Sequence, residues 1–255
     1  MPRGRLSKAA ALCCALGALL AAHAAADGAL VKVNSVILRA DGGFQPRALP
    51  RHQFAPINFQ GYFDIAAKGG GKPVALEEAV IDFDRDGRLS PGGLPACPPE
   101  QVADAGTAQA RQACAGAIVG TGKVEALIAL PSGTVPASSP LTIFNGPEQD
   151  GHPTVVLHAR IATPGTQTFA ILVPVERRPG AFRYRATLAI PTIAGGLGAI
   201  TRVEVKVGRR FSVAGQPRSY VSAHCTDGIL RTHGRFTFAE GTIIDGSVEK
   251  ACRPR

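Results

Sequence analysis

Alternating apolar and polar residues form the dominant pattern along this chain. The alternation occurs in four segments, at 31–34, 182–190, 202–207 and 235–238. Because successive side chains of a β-strand point to opposite faces, each segment predicts a strand with one apolar and one polar face. Uninterrupted apolar runs at 155–157 and 170–173 predict strands that are covered on both faces.

Turn-forming residues separate these segments at intervals of about ten residues, which is typical of an all-β domain. Asp227-Gly228 and Glu240-Gly241 each lie between alternating segments. Because glycine tolerates the positive φ of a tight turn, both pairs predict hairpins. Segments rich in glycine and proline predict long loops at 68–73, 131–140 and 145–153.

One segment, 101–112, departs from the strand pattern. It is rich in Ala, Gln and Asp, follows Pro98-Pro99, and lies between Cys97 and Cys114. We therefore expect a short helical insertion at about 98–113. The rest of the chain predicts an all-β fold, which is an antiparallel β-sandwich, a jelly roll or a barrel. Its length allows one large domain or two small ones, and we expect a single domain over 27–255.

Residues 1–26 have the three-part pattern of a secretory signal peptide. Arg3, Arg5 and Lys8 precede an apolar run at 9–22, and small residues follow up to Ala26. The run of about 14 residues is shorter than the roughly 20 that a membrane-spanning helix needs. We expect cleavage near Ala26, with an earlier site at Ala24 as the alternative. The mature protein is then predicted to be exported, soluble and without a transmembrane segment.

Four cysteines follow the leader, namely Cys97, Cys114, Cys225 and Cys252. An even number of cysteines in an exported chain predicts disulfides, with three possible pairings. We expect the pairing with the shortest loops, Cys97–Cys114 and Cys225–Cys252, because each pair brackets a self-contained piece of chain. Two further cysteines lie in the leader. A lipid anchor on Cys13 is disfavoured, because Leu12 stands where a lipidation signal needs a small residue.

The predicted mature chain is mildly basic. Cleavage removes three of 28 basic residues and none of 19 acidic residues, which leaves a net charge of +6. Such a charge favours anionic partners such as a cell-wall polymer, but a solubilising surface charge is the simpler explanation. The chain has no dense run of Lys and Arg, and only 5% of its residues are aromatic. We therefore expect no nucleic-acid partner.

Asp82, Asp84 and Asp86 form the segment with the clearest chemical pattern. Three alternate carboxylates followed by glycine match the opening of an EF-hand-type calcium loop. The twelfth position holds Gly93 instead of the bidentate Glu, and Pro91 interrupts the expected exit helix. The three aspartates are thus candidate calcium ligands in a looser loop. The alternative is the end of a strand followed by a solvated turn.

The sequence offers no comparable signal for a transition metal or for catalysis. His152, His158, His224 and His233 lack the spacing of a metal site. The chain contains no G-x-S-x-G, H-E-x-x-H, G-x-G-x-x-G or phosphate-loop motif. We therefore predict no catalytic and no cofactor-binding residue. A dispersed carboxylate pair leaves no local signature, so a hydrolase stays an alternative.

A series of short motifs extends over most of residues 75–252. The motifs are Asp82-Phe83-Asp84, Gly87-Arg88, Gly93-Leu94-Pro95 with Cys97, Ala117 to Gly122, Leu141 to Gly146, Ile190-Pro191 with Ala194-Gly195-Gly196, and Arg218 to Ala223 with Cys225. In these motifs the chain resembles a group of uncharacterised exported proteins from actinobacteria. The resemblance implies export and a shared β fold. It implies no activity and no site residue, because the group has none assigned.

These observations predict an exported, non-catalytic domain of the cell envelope or the extracellular space. We expect it to bind or to support a structure, with an anionic wall polymer or another exported protein as partner. Two alternatives stay open. One is a secreted hydrolase on a β-sandwich scaffold, and the other is an adhesion-type domain stabilised by calcium at Asp82, Asp84 and Asp86.

Overall fold

The structure is a computed structural model that describes residues 28–255. The predicted signal peptide, its cleavage site and Cys13 lie outside the described residues. The described strands are β1 (Ala29–Val33), β2 (Val36–Gln45), β3 (Ala48–Leu49), β4 (Ala55–Pro56), β5 (Asn58–Ala67), β6 (Leu76–Asp84), β7 (Gly87–Leu89), β8 (Ile118–Leu130), β9 (Gly133–Asn145), β10 (Thr154–Ile161), β11 (Gln167–Arg177), β12 (Phe182–Ala189), β13 (Gly198–Val207), β14 (Arg210–Val213), β15 (Gln216–Ser219), β16 (Val221–Ala223), β17 (Ile229–Phe238), β18 (Ile243–Ala251) and β19 (Arg253–Pro254). The helical elements are α1 (Thr107–Ala113) and 3-10 turns at Pro99–Gln101, Ala115–Ala117, Ala194–Gly196 and Ala239–Gly241.

Twelve strands form one large antiparallel sheet. Their order is β1-β2-β5-β13-β8-β9-β10-β11-β12-β6-β17-β18. The two outer strands, β1 and β18, are not hydrogen-bonded to each other, yet their Cα atoms approach within 8 Å. The sheet therefore curls until it is nearly closed. This confirms the predicted all-β fold and, among the predicted architectures, corresponds most closely to the barrel.

The strands predicted from alternation and from apolar runs are all present. They lie in β1, β10, β11, β12, β13 and β17. The helical insertion is also confirmed, since α1 and a 3-10 turn lie between Cys97 and Cys114. Both predicted disulfides, Cys97–Cys114 and Cys225–Cys252, are formed.

The predicted loop at 131–140 is wrong, because β9 begins at Gly133. Pro136 and Pro140 suggested a loop, since proline cannot donate a backbone hydrogen bond to a neighbouring strand. β9 pairs with β8 along its whole length, but with β10 only from Leu141 to Asn145. The two prolines thus lie where β9 has a single neighbour, and there a missing N–H is tolerated.

One of the two predicted hairpins is also wrong. Glu240 and Gly241 do connect the paired strands β17 and β18, and both have positive φ. Asp227-Gly228 instead connects β17 to β16, and β16 pairs with β4 and β7. The strand before this turn, β16, belongs to a small sheet, whereas β17 belongs to the main sheet. A turn motif by itself does not indicate which strands pair with each other.

The two ends of the nearly closed sheet are covered differently. At one end, small sheets (β4-β16-β7, β14-β15 and β3-β19) pack across the strand ends, and the Cys225–Cys252 disulfide joins β18 to this cover. We call it the capped end. At the other end, Val74 and Ile190 pack against buried residues such as Phe238, and Ile193 packs with Ile128. We call it the plugged end.

The insertion that carries α1 packs on the outer face of the sheet. Its residues Val102 and Ala110 form one cluster with Phe144 of β9 and Val156 of β10, joined by Leu172 of β11. The other faces of β9, β10 and β11 point to the interior. This arrangement explains the uninterrupted apolar runs of β10 and β11, because both of their faces are covered.

Candidate functional site

The main sheet encloses a cavity of about 370 Å³. Every strand of the main sheet except β8 contributes residues to its lining. The wall consists mostly of aliphatic and aromatic side chains, for example Phe59, Phe83, Leu157, Val203 and Val205. Such a cavity has the size and the apolar character of small-molecule sites in proteins, which measure about 300–1,000 Å³.

Many of the side chains around this cavity are less buried than those of an ordinary core. Phe59, Phe83 and Val205 lie on the inner face of the sheet but remain partly exposed. Near the plugged end, in contrast, Phe238 is 0% exposed and Ile244 is 1% exposed. Because protein interiors are normally close-packed, the partly exposed inner side chains indicate a hollow centre. Closed sheets with more than about eight strands leave room for such a space.

Small residues on the inner face help to keep the centre open. Gly61, Ala186 and Gly234 all line the cavity. At these positions the inner face carries no side chain or only a methyl group. This pattern of small inward residues was visible in the sequence. It could not be interpreted from the sequence, because only the tertiary structure shows that these strands surround a common space.

A gap in the wall lies beside the outer strands of the sheet. β1 pairs with β2 only as far as Ala40, so the remainder of β2 has no strand partner on that side. β18 lies across this gap, where Lys250 Nζ is 2.7 Å from Asp41 Oδ1. Asp41 and Lys250 both line the cavity. An ion pair between side chains thus closes the wall here, in place of a ladder of backbone hydrogen bonds.

Two tyrosines lie where the cavity meets the cap. Tyr184 accepts a long hydrogen bond of 3.4 Å from the backbone N–H of Leu89. Tyr220 is 1% exposed, and its hydroxyl has no hydrogen-bond partner among residues 28–255. Burial raises the pKa of Tyr220 far above its usual value, so the phenol stays neutral. The two phenols thus supply neutral polar groups at this end of the cavity, beside the charged residues Asp84 and Arg88.

The three candidate calcium ligands lie on or just beyond β6, and each binds a different protein group. Asp82 accepts two hydrogen bonds from Arg185, of 2.7 and 2.8 Å. Asp84 accepts backbone N–H groups of Asp86 and Arg231, each at 2.8 Å. In the turn that follows, Asp86 accepts the backbone N–H of Thr226 at 2.7 Å and also its hydroxyl.

The environments of these carboxyl groups differ in their electrostatics. The hydrogen bonds from Arg185 lower the pKa of Asp82, against the opposing effect of burial. Burial raises the pKa of Asp84, because its two backbone donors compensate only in part for lost water. Within residues 28–255, no group of three or more Asp, Glu, His or Cys side chains is arranged to hold a metal ion. Calcium binding at Asp82, Asp84 and Asp86 stays a prediction.

The histidines singled out from the sequence lie in four different places. His158 is fully buried beneath the insertion, where its Nε2 lies 3.1 Å from the carbonyl oxygen of Ala105, and burial lowers its pKa. His224 packs against Phe54 in the cap, and His233 lies near Asp82 on the outer face. His152 belongs to the turn between β9 and β10. The fold does not bring these four side chains together.

A second, more open depression of about 580 Å³ lies beside β5, β8 and β9. Lys123 and Glu125 belong to its lining and form an ion pair with each other. This depression spans few strands and has no enclosed apolar wall. The interior cavity is therefore the stronger candidate for a binding site.

No helix in the described part of the chain combines the length and the hydropathy that crossing a membrane requires. No family model matches the chain, and neither a curated protein nor a solved structure matches it.

Proposed function

We propose that this protein is an exported, non-catalytic binding domain that holds an elongated apolar molecule of lipid type in its interior cavity. The observation that carries the proposal is the hollow centre of the main sheet. Many of its inward side chains, such as Phe59, Phe83 and Val205, are apolar and yet only partly buried. An apolar guest would cover this surface and stabilise the complex by about 25 cal/mol for each Å² removed from water.

The chemistry of the wall favours binding over catalysis. The wall is almost entirely hydrocarbon, and the polar side chains at its edge are largely engaged with one another, as in the Asp41–Lys250 pair. A hydrolase needs an acid, a base or a nucleophile directed at the substrate. The four histidines, Asp82 and Asp86 are not part of the cavity wall. Asp84 does line it, but its carboxylate accepts the backbone N–H groups of Asp86 and Arg231.

Export is the second part of the proposal. It rests on the signal-peptide pattern of residues 1–26, on the resemblance to exported actinobacterial proteins, and on the two disulfides. Disulfides persist in oxidising compartments and are rare in the cytosol. In an envelope or an extracellular medium, an apolar molecule needs a carrier or a store, because it has low solubility in water.

The proposal is tested with a naphthylamine dye whose fluorescence rises in an apolar environment. We expect saturable binding of the dye by the purified protein and displacement of the dye by long-chain fatty acids. Chain length should matter, because a short acid fills less of a 370 Å³ cavity and removes less apolar surface from water.

A matched pair of variants locates the dye. Val205 lines the cavity, whereas its neighbour Lys206 is exposed on the opposite face of β13. Val205→Phe should weaken dye binding by about tenfold, which corresponds to a loss of about 1.4 kcal/mol. Lys206→Phe should leave the affinity unchanged. Equal affinities for both variants would mean that the dye binds elsewhere, and the proposed function would then be wrong.

A further inference from the structure

The charge of the protein is distributed unequally between the two ends of the sheet. At the capped end, twelve arginines and four acidic residues occupy the segments that connect or flank the main strands, apart from the insertion at 97–117 on the outer face. These segments are 46–57, 85–96, 146–153, 177–183, 208–228 and 252–255. At the plugged end, the corresponding segments hold only Lys68, Lys72 and Glu240. The net side-chain charge of these segments is therefore +8 at the capped end and +1 at the plugged end.

The arginines of the capped end are accessible. Nine of the twelve are exposed, and Arg51, Arg177 and Arg218 are examples from three separate segments. Of the four acidic residues, Asp86 is buried, and Asp227 pairs with Arg231 at 2.8 Å. Little of the positive charge is thus neutralised by the acidic residues of the same end.

Part of this positive surface is held in place by aromatic contacts. The guanidinium carbons of Arg88 and Arg183 lie 5.3 and 5.5 Å from the centre of the Phe54 ring. Arg183 also donates a hydrogen bond of 2.7 Å to the carbonyl oxygen of Arg85. Such contacts restrict long side chains before any partner arrives, and this reduces the entropy lost on binding.

The same cap forms one wall of the interior cavity. Arg88, Leu89, Tyr220 and Val221 belong to the cap segments, and all of them line the cavity. A surface that carries many positive charges therefore lies directly over an apolar space. Among anionic partners, a lipid surface combines negative head groups with apolar chains and so corresponds to both features.

We propose that the capped end docks onto an anionic lipid surface, from which the apolar guest enters or leaves the cavity. The choice of lipid over other anionic partners rests on the proposed function, whereas the location at the capped end rests on charge alone. Attraction to anionic head groups acts within a Debye length of about 10 Å at 0.1 M salt. Docking should therefore weaken steeply as salt is added.

The test measures sedimentation of the purified protein with two kinds of vesicle. One kind contains phosphatidylcholine alone, and the other contains added phosphatidylglycerol. The capped-end variant carries Arg51→Glu, Arg177→Glu and Arg218→Glu. The control variant carries Lys32→Glu, Lys68→Glu and Lys72→Glu at or near the plugged end, so both variants undergo the same change in net charge.

We expect the unmodified protein to bind only the vesicles with phosphatidylglycerol and to dissociate in high salt. The capped-end variant should bind them at least about tenfold more weakly, and the control variant should bind almost as well as the unmodified protein. Equal losses in both variants, or no binding to anionic vesicles, would overturn the proposal. Tighter binding to soluble polyphosphate than to vesicles would also overturn it, in favour of a polymer partner.

Dye binding without vesicles is measured in the same preparations. Dye binding that persists in a variant unable to bind vesicles shows that this variant is folded and that its cavity is intact. If the unmodified protein does not bind the dye, this result contradicts the proposed function. In that case, vesicle binding that still depends on the arginines of the capped end would support the docking surface. Only the proposed transfer of a guest between the lipid and the cavity would then be wrong.

Discussion

The capped end and the plugged end close the same sheet by different means. The plugged end has short connections, carries almost no net charge, and is filled by buried side chains such as Phe238 and Ile193. The capped end has long connections that fold into three small sheets, and it is rich in exposed arginine. Between them lies the hollow centre of the sheet.

Under the proposed function, this difference assigns stability to one end of the fold and recognition to the other. A packed end supplies buried apolar area and needs little chain to do so. A cap built from long segments has room for exposed charged residues, but it needs other restraints because less of it is buried. The Cys225–Cys252 disulfide is one such restraint, since it ties the cap to the end of β18. The following predictions test this division, from the largest expected effect to the smallest.

Truncation of a phenylalanine should cost most at the plugged end. Phe238 is 0% exposed, so Phe238→Ala should lower the free energy of unfolding by about 4 kcal/mol. Phe83 lies towards the capped end and already borders the cavity, so Phe83→Ala should cost only about 2 kcal/mol. Urea unfolding measures both values. Equal costs would mean that the centre is packed as tightly as the plugged end.

Removal of the cap disulfide should affect both stability and access to the cavity. The Cys225–Cys252 loop spans 27 residues, so Cys225→Ala with Cys252→Ala should cost about 3 kcal/mol. Exchange of the bound dye should also accelerate, because the cap is less restrained. The control is Cys97→Ala with Cys114→Ala, which opens a loop of 17 residues. It should cost a similar amount and leave dye exchange unchanged.

The ion pair between Asp82 and Arg185, on the outer wall near the capped end, should make the protein sensitive to acid. Because the folded protein lowers the pKa of Asp82, the unfolded chain takes up this proton first as the pH falls. The stabilisation is complete above the unfolded pKa of about 3.9 and is lost as the pH falls through the lower folded value. Asp82→Asn should remove this component of the acid response.

At neutral pH, Asp82→Asn should lower the free energy of unfolding by about 1 kcal/mol, since Arg185 is partly exposed and screened by solvent. Asp150→Asn, in an exposed turn at the same end, serves as the control and should have almost no effect. Urea unfolding over a series of pH values measures the difference. An unchanged acid response in Asp82→Asn would contradict the assigned role of the pair.

Calcium should have the smallest effect. Asp82, Asp84 and Asp86 already accept hydrogen bonds from separate protein groups, so a cation would have to displace these donors. We therefore expect the same melting temperature in millimolar calcium and in chelator. A stabilising shift that Asp86→Asn abolishes would instead establish the calcium site predicted from the sequence.

The sequence predicted local structure well wherever a pattern has a local cause. The alternation in β12 and β13 follows from the pleat of a strand, and the two short disulfide loops follow from the spacing of the cysteines. The prediction of a loop at 131–140 was wrong, because the number of neighbours of β9 is a property of the whole sheet. The hydrogen-bond partners of Asp82 and Asp86 could not be predicted either, because Arg185 and Thr226 are far from them in sequence.

The sequence by itself determined that this chain forms antiparallel strands with a disulfide-bounded helical insertion, because strand period, turn residues and short covalent loops are local properties. Only the tertiary structure decided that twelve strands surround one space and that small and aliphatic residues from eleven of them line it. It also decided that arginines from five separate segments share one end. These features depend on strand order and on the direction in which each strand runs, and both result from contacts between residues distant in the chain.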